Sequence, residues 1–99
     1  MIHSTHVTYR IHTEDKPYLP EQVAKFFDSF AIFKGIGYWK GVEESTATIE
    51  IIGVEADRNR VIALADWLGT IGYQQSVYVT STDVALDDIR QEPVYRKVA

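Results

Sequence analysis

The chain is predicted to be an α+β domain of ferredoxin-like β-α-β-β-α-β type: a four-stranded antiparallel sheet, two helices on one face, and a C-terminal tail. Three observations carry that prediction. Apolar and polar residues alternate at period two in separated stretches, helical apolar stripes fall between them, and the only uninterrupted β-β connection lies in the middle. At 99 residues, with 45% hydrophobic side chains, the chain has enough material for one core and is divided into a domain over 1–82 and a tail over 83–99.

The first strand is read from Val7, Tyr9 and Ile11, which alternate with His6, Thr8, Arg10 and His12. Glu14-Asp15-Lys16-Pro17 ends it with turn residues. Pro20 can open a helix without losing a hydrogen bond, and Val23, Phe26, Phe27 and Phe30 then recur at helical spacing, so a helix is expected from Pro20 to Phe30. Residues 31–40 mix strand formers with Gly35 and Gly37, which predicts a twisted or bulged strand. A polar turn over Gly41–Ser45 leads into Thr46–Val54, where Ala47, Ile49 and Ile51 alternate with Thr46, Thr48 and Glu50.

Asp57 is the expected cap of a second helix whose stripe is Val61, Leu64, Ala65, Leu68 and Ile71. The last strand is expected from Gln74 to Ser81. In this topology the first and third strands are central, so their outward faces place His6, Thr8, Arg10 and His12 beside Thr46, Thr48 and Glu50 on a polar open face, with Arg10 paired to Glu50. The segment from Asp83 to Arg90 reads as a short helical turn and Pro93–Val98 as extended chain.

Composition narrows the chemistry. Ten Lys and Arg against fourteen Asp and Glu make an acidic chain of formal charge −4, and the scattered cations argue against nucleic acid as the partner. With no cysteine, disulfide scaffolds, thiolate metal sites and cysteine nucleophiles are excluded. No apolar run reaches the roughly 18 residues that cross a bilayer, and the start Met1-Ile2-His3-Ser4-Thr5-His6 lacks the regions of a secretory signal. The expectation is therefore a cytoplasmic protein, in a bacterial host if phage-encoded, with no membrane partner.

Motifs for catalysis are absent. His6 and His12 share a strand face but stand about 20 Å apart at roughly 3.3 Å per residue, too far to hold one ion. No Gly-x-Ser-x-Gly occurs, and Gly35-x-Gly37 runs into a hairpin instead of a helix N-terminus, so no metal, no cofactor and no catalytic residue is assigned. The one segment distinctive in composition is Gly35–Glu44, where Tyr38, Trp39, Lys40, Glu43 and Glu44 gather aromatics, a cation and two carboxylates at a strand end. Trp67, off the main stripe of the second helix, joins them as a candidate partner contact.

Gly37-x-Trp39, then Glu44-Ser45-Thr46 opening a β-rich stretch, then Gln75-Ser76-Val77 opening the last strand, resembles a family of short bacterial and phage proteins of unknown function over residues 5–82. The resemblance implies a compact ferredoxin-like unit and supplies no activity. The reading is then a small non-enzymatic protein-binding module, as a phage-encoded inhibitor of a bacterial defence system would be, working through Tyr38, Trp39, Lys40, Glu43, Glu44 and Trp67. The alternative is a homo-oligomer, a homodimer in its simplest form, that binds a small molecule or nucleotide, or acts as a minor enzyme, in a cleft lined by His6, Arg10, His12 and Glu50 between packed sheets.

Overall fold

In a computed structural model, residues 2–72, 74 and 77–88 are described. Strand β1 (Ile2–Glu14) is followed by helix α1 (Leu19–Ala24), strands β2 (Ala31–Trp39) and β3 (Val42–Gly53), a 3-10 turn (Glu55–Asp57), helix α2 (Arg58–Thr70) and strand β4 (Tyr78–Asp88). The sheet order is β2-β3-β1-β4, all antiparallel. This is the ferredoxin-like α+β arrangement, with β1 and β3 central as the periodicity requires.

Alternation along β1 and β3 sends Val7, Tyr9, Ile11, Ala47, Ile49 and Ile51 to the helix side, where they are buried with Leu19, Val23, Phe27, Val61, Leu64 and Leu68. The register pairs Arg10 with Glu50 and His12 with Thr48, so the opposite face carries the polar set. There the Arg10 guanidinium lies 3.0 Å from the Glu50 carboxylate, a half-exposed pair contributing less than about 1 kcal/mol.

The sheet is staggered. The β1–β3 ladder runs from Val7 opposite Gly53 to Glu14 opposite Thr46, while β2 and β3 continue pairing to Trp39 opposite Val42. The β2–β3 hairpin thus projects beyond the core, which contributes to the elongated outline of 47 × 30 × 24 Å. Its turn is the two residues Lys40 and Gly41, with φ of 50° and 80°. Both angles match the left-handed turn whose twist suits a two-residue hairpin.

Several elements differ from the sequence expectation. Helix α1 stops at Ala24, because Lys25, Phe26 and Phe27 donate to the carbonyls of Gln22 and Val23 in a tightened last turn. The chain must then cross to the sheet edge at Ala31, and Phe26, Phe27 and Phe30 reach the core from outside the helix. The hairpin turn is shorter than Gly41–Ser45, since Val42–Ser45 already pair with β2. Ile71 lies past the end of α2 and is exposed. Strand β4 begins at Tyr78 and runs through Asp88, so 83–88 pair with β1 instead of forming a helical turn, and the strand crosses the expected 82/83 boundary. The expected extended stretch at 93–98 lies outside the described residues.

Candidate functional site

The outward face is less uniformly polar than its central strands imply. Phe33, Trp39, Ile52 and Tyr78 stand on it with exposures of 56, 63, 52 and 59%. Pairing fixes their side: Phe33 faces Thr48, Ile52 faces Thr8, and Tyr78 faces His12. Apart from Ile52 they sit on the edge strands, where alternation read from β1 and β3 does not reach.

Between these aromatics lies an open groove of about 610 Å³ lined by His12, Thr13, Glu14, Gly37, Tyr38, Trp39, Glu44, Thr46, Ala47, Thr48 and Tyr78. Its floor exists because Gly37 has no side chain: a Cβ there would meet the Thr46 methyl at 2.8 Å. The His12 imidazole stacks on the Tyr78 ring with centroids 4.7 Å apart and planes at 20°, and its Nε2 lies 3.1 Å from the Thr80 hydroxyl. At the hairpin tip the Lys40 ammonium sits 5.6 Å from the Trp39 ring centroid.

The fold therefore joins one residue of the cleft set, His12, to Trp39 and Glu44 of the hairpin set, with Tyr38 also bordering the groove although strand alternation assigns it to the other face. It separates others. Alternation places Tyr38 and Glu43 on the helix side of the hairpin, where the Tyr38 hydroxyl donates to the Glu43 carboxylate at 3.2 Å. Arg10 and Glu50 pair near the middle of the open face, outside the groove lining, and His6 lies opposite Val84 toward the other end of β1. Trp67 is half-buried against the core, its ring edge-on to Tyr18 with centroids 5.5 Å apart.

Sequence reasoning missed Tyr78, Thr46 and Thr48 as groove residues, together with the group that fixes the groove's inner wall. Gln74 is buried, and its Oε1 accepts from the Thr13 hydroxyl and, at 2.8 Å, from the Glu14 amide. Its Nε2 donates at 3.0 Å to the Tyr18 hydroxyl, which donates to the Gly72 carbonyl at 3.1 Å. A glutamine following a helix carries no local signal for this role, because its partners are 56 and more residues away in sequence.

Elsewhere, Arg58 at the start of α2 grips Glu55 through two hydrogen bonds of 2.6 and 3.1 Å and lies over the Tyr9 ring. Hydrogen bonding from Arg58 holds the Glu55 carboxyl below its ordinary value. Burial, reinforced by Glu55, raises the Tyr9 phenol above its ordinary value, and its hydroxyl donates to the Val54 carbonyl at 2.7 Å. Among the described residues no cluster of three potential metal ligands occurs, and no helix is long and apolar enough to cross a membrane.

No protein-family model and no curated protein matches the sequence. Solved structures do. CPII, a nitrogen regulatory PII-like protein from Thiomonas intermedia K12 bound to ADP, AMP and bicarbonate, aligns with TM-score 0.62 at 12% identity over 88% of this chain and 98% of its own. The same protein bound to ADP, AMP and acetate aligns with TM-score 0.61 at 13% identity, over 95% of this chain and 96% of its own. A PII-like signaling protein from Thermus thermophilus gives TM-score 0.58 at 15% identity, over 87% of this chain and 93% of its own. At such identities the shared property is the fold, a ferredoxin-like domain of the kind that PII-like proteins use. The bacterial and phage family of unknown function that the motifs resemble gains no support from these matches beyond that fold, and Gln75 and Ser76 of its pattern lie outside the described residues.

Proposed function

We propose that this chain is a homo-oligomeric small-molecule-binding protein whose ligand lies in the His12–Trp39–Tyr78 groove, between copies that meet through their open sheet faces. The observation carrying the reading is the groove itself. Aromatic side chains toward its two ends, Trp39 and Tyr78, and a floor of glycine and threonine make an open groove on a face that also exposes Phe33 and Ile52, an apolar surface of the kind that monomers rarely leave uncovered. The fold of PII-like proteins bound to adenine nucleotides and bicarbonate supports a ligand of that size. It favours the small-molecule alternative over the protein-binding module, and none of the similar structures described above is an inhibitor of a defence system.

Calorimetric titration with AMP, ADP and bicarbonate tests the reading. Binding is expected with the wild type and is lost on Trp39→Ala, while the melting temperature stays within about 1 °C because Trp39 is exposed. Undiminished binding by Trp39→Ala removes the groove as the site. A protein-docking role is favoured by one observation, the exposed Ile36, Tyr38 and Val42 at the projecting hairpin. That role requires Ile36→Ala, at a position outside the groove lining, to release a partner without affecting ligand.

A further inference from the structure

The groove's charge is at odds with a phosphate-bearing ligand. Among the described residues its lining includes two carboxylates, Glu14 and Glu44, and no lysine or arginine. Glu14 is engaged by Lys16 at 3.2 Å, whereas Glu44 is exposed and stands across the strand pair from Gly37, at the open position of the floor. The nearest cation, Lys40, is drawn over the Trp39 ring. Arg10, the basic residue at the centre of the same face, already shares the Glu50 carboxylate. A diphosphate placed here would meet acceptors and lose water without gaining donors.

The other features suit a flat ring. Trp39 and the stacked His12–Tyr78 pair present π surfaces, and the side-chain gap at Gly37 leaves the space between them open. The Thr46 and Thr48 hydroxyls both donate and accept, and Glu44 accepts only. We infer that the groove recognises a planar, amine-bearing heterocycle, uncharged or cationic, of which a purine base is the type: the ring stacks on Trp39, and its exocyclic amine donates to Glu44. Lys40, whose ammonium is held over the Trp39 ring and which is not among the groove-lining residues, supplies no contact that the ligand needs.

This inference rests on the groove being the ligand site, and it predicts an order of affinities that a phosphate-recognising site reverses. The 99-residue chain is titrated with adenine, adenosine, AMP and ADP, together with the variants Glu44→Gln and Lys40→Met. Adenosine is expected to bind at least about tenfold more tightly than ADP. Glu44→Gln weakens adenosine about tenfold, as loss of a charged hydrogen-bond acceptor does, and Lys40→Met leaves adenosine binding unchanged or strengthens it. All these residues are exposed, and an unchanged circular dichroism spectrum confirms folding. ADP binding more tightly than adenosine, or a loss of affinity on Lys40→Met, overturns the inference while leaving a ligand in the groove. If no purine binds but bicarbonate does and is lost on Trp39→Ala, the ligand class is wrong and the site stands. If no probe binds, the functional reading falls as well.

Discussion

Tyr9 illustrates how much one side chain settles in this fold. Its ring is fully buried at the centre of β1, covered by the Arg58 guanidinium, and its hydroxyl ties β1 to the carbonyl of Val54, just before the second helix begins. The folded phenol is raised above its ordinary value of 10.0, so the unfolded chain releases this proton first. Stability from Tyr9 is therefore complete below about pH 10 and declines as pH rises through the folded value. Urea unfolding between pH 7 and 11 should show the wild type losing stability above pH 10 more steeply than Tyr9→Phe. At neutral pH that variant loses about 1 kcal/mol through its missing hydrogen bond. Parallel curves for the two proteins would mean that Tyr9 is not the titrating group. Tyr9 was legible in the sequence as a core position, yet its hydrogen bond was not, because Val54 lies 45 residues away.

Among the elements, the β2–β3 hairpin decides the site. Lys40 and Gly41 turn the chain in two residues and set the register that places Trp39 and Glu44 on the open face and Tyr38 and Glu43 on the other. Gly41 sits at φ 80° with nothing near its absent side chain, so a substitution there meets a conformational cost and no clash. Gly41→Val should cost about 1–2 kcal/mol, several degrees of melting temperature for a domain this size, and Gly41→Asn clearly less. Equal losses for the two would show that the turn does not hold its left-handed form. Helix α1 teaches the converse. The stripe Val23, Phe26, Phe27 and Phe30 is a good helical pattern, but only Val23 belongs to the helix, since the aromatics bury equally well from the tightened turn and loop that lead to β2. Spacing reports which residues face the core and is weaker on where hydrogen bonding stops.

For the whole molecule, the open face is the unsolved surface. Its centre is polar and paired, while Phe33, Trp39, Ile52 and Tyr78 rim it with exposed apolar area. Association through this face predicts that Phe33→Asp, which adds a charge on edge strand β2, converts an oligomer to a monomer in sedimentation velocity while the far-UV spectrum is retained. An unchanged mass would assign the interface elsewhere. A β4 that runs to Asp88 lengthens the opposite edge, and the exposed Asp83 within it is a charge of the kind that discourages unplanned strand pairing.

The sequence by itself determined the order of elements and the composition of the core, because each follows from period-two or helical alternation within a single segment, and the β-α-β-β-α-β topology implied by that order then made β1 and β3 central and put Arg10 and Glu50 on one face. Only the tertiary structure decided that His12 meets Tyr78 and shares a groove with Trp39, that Gln74 braces the groove wall, and that the hairpin residues divide between two faces. Those facts depend on strand register and on where each strand ends. Both are set by backbone pairing between segments that are remote in the chain, which local periodicity does not encode.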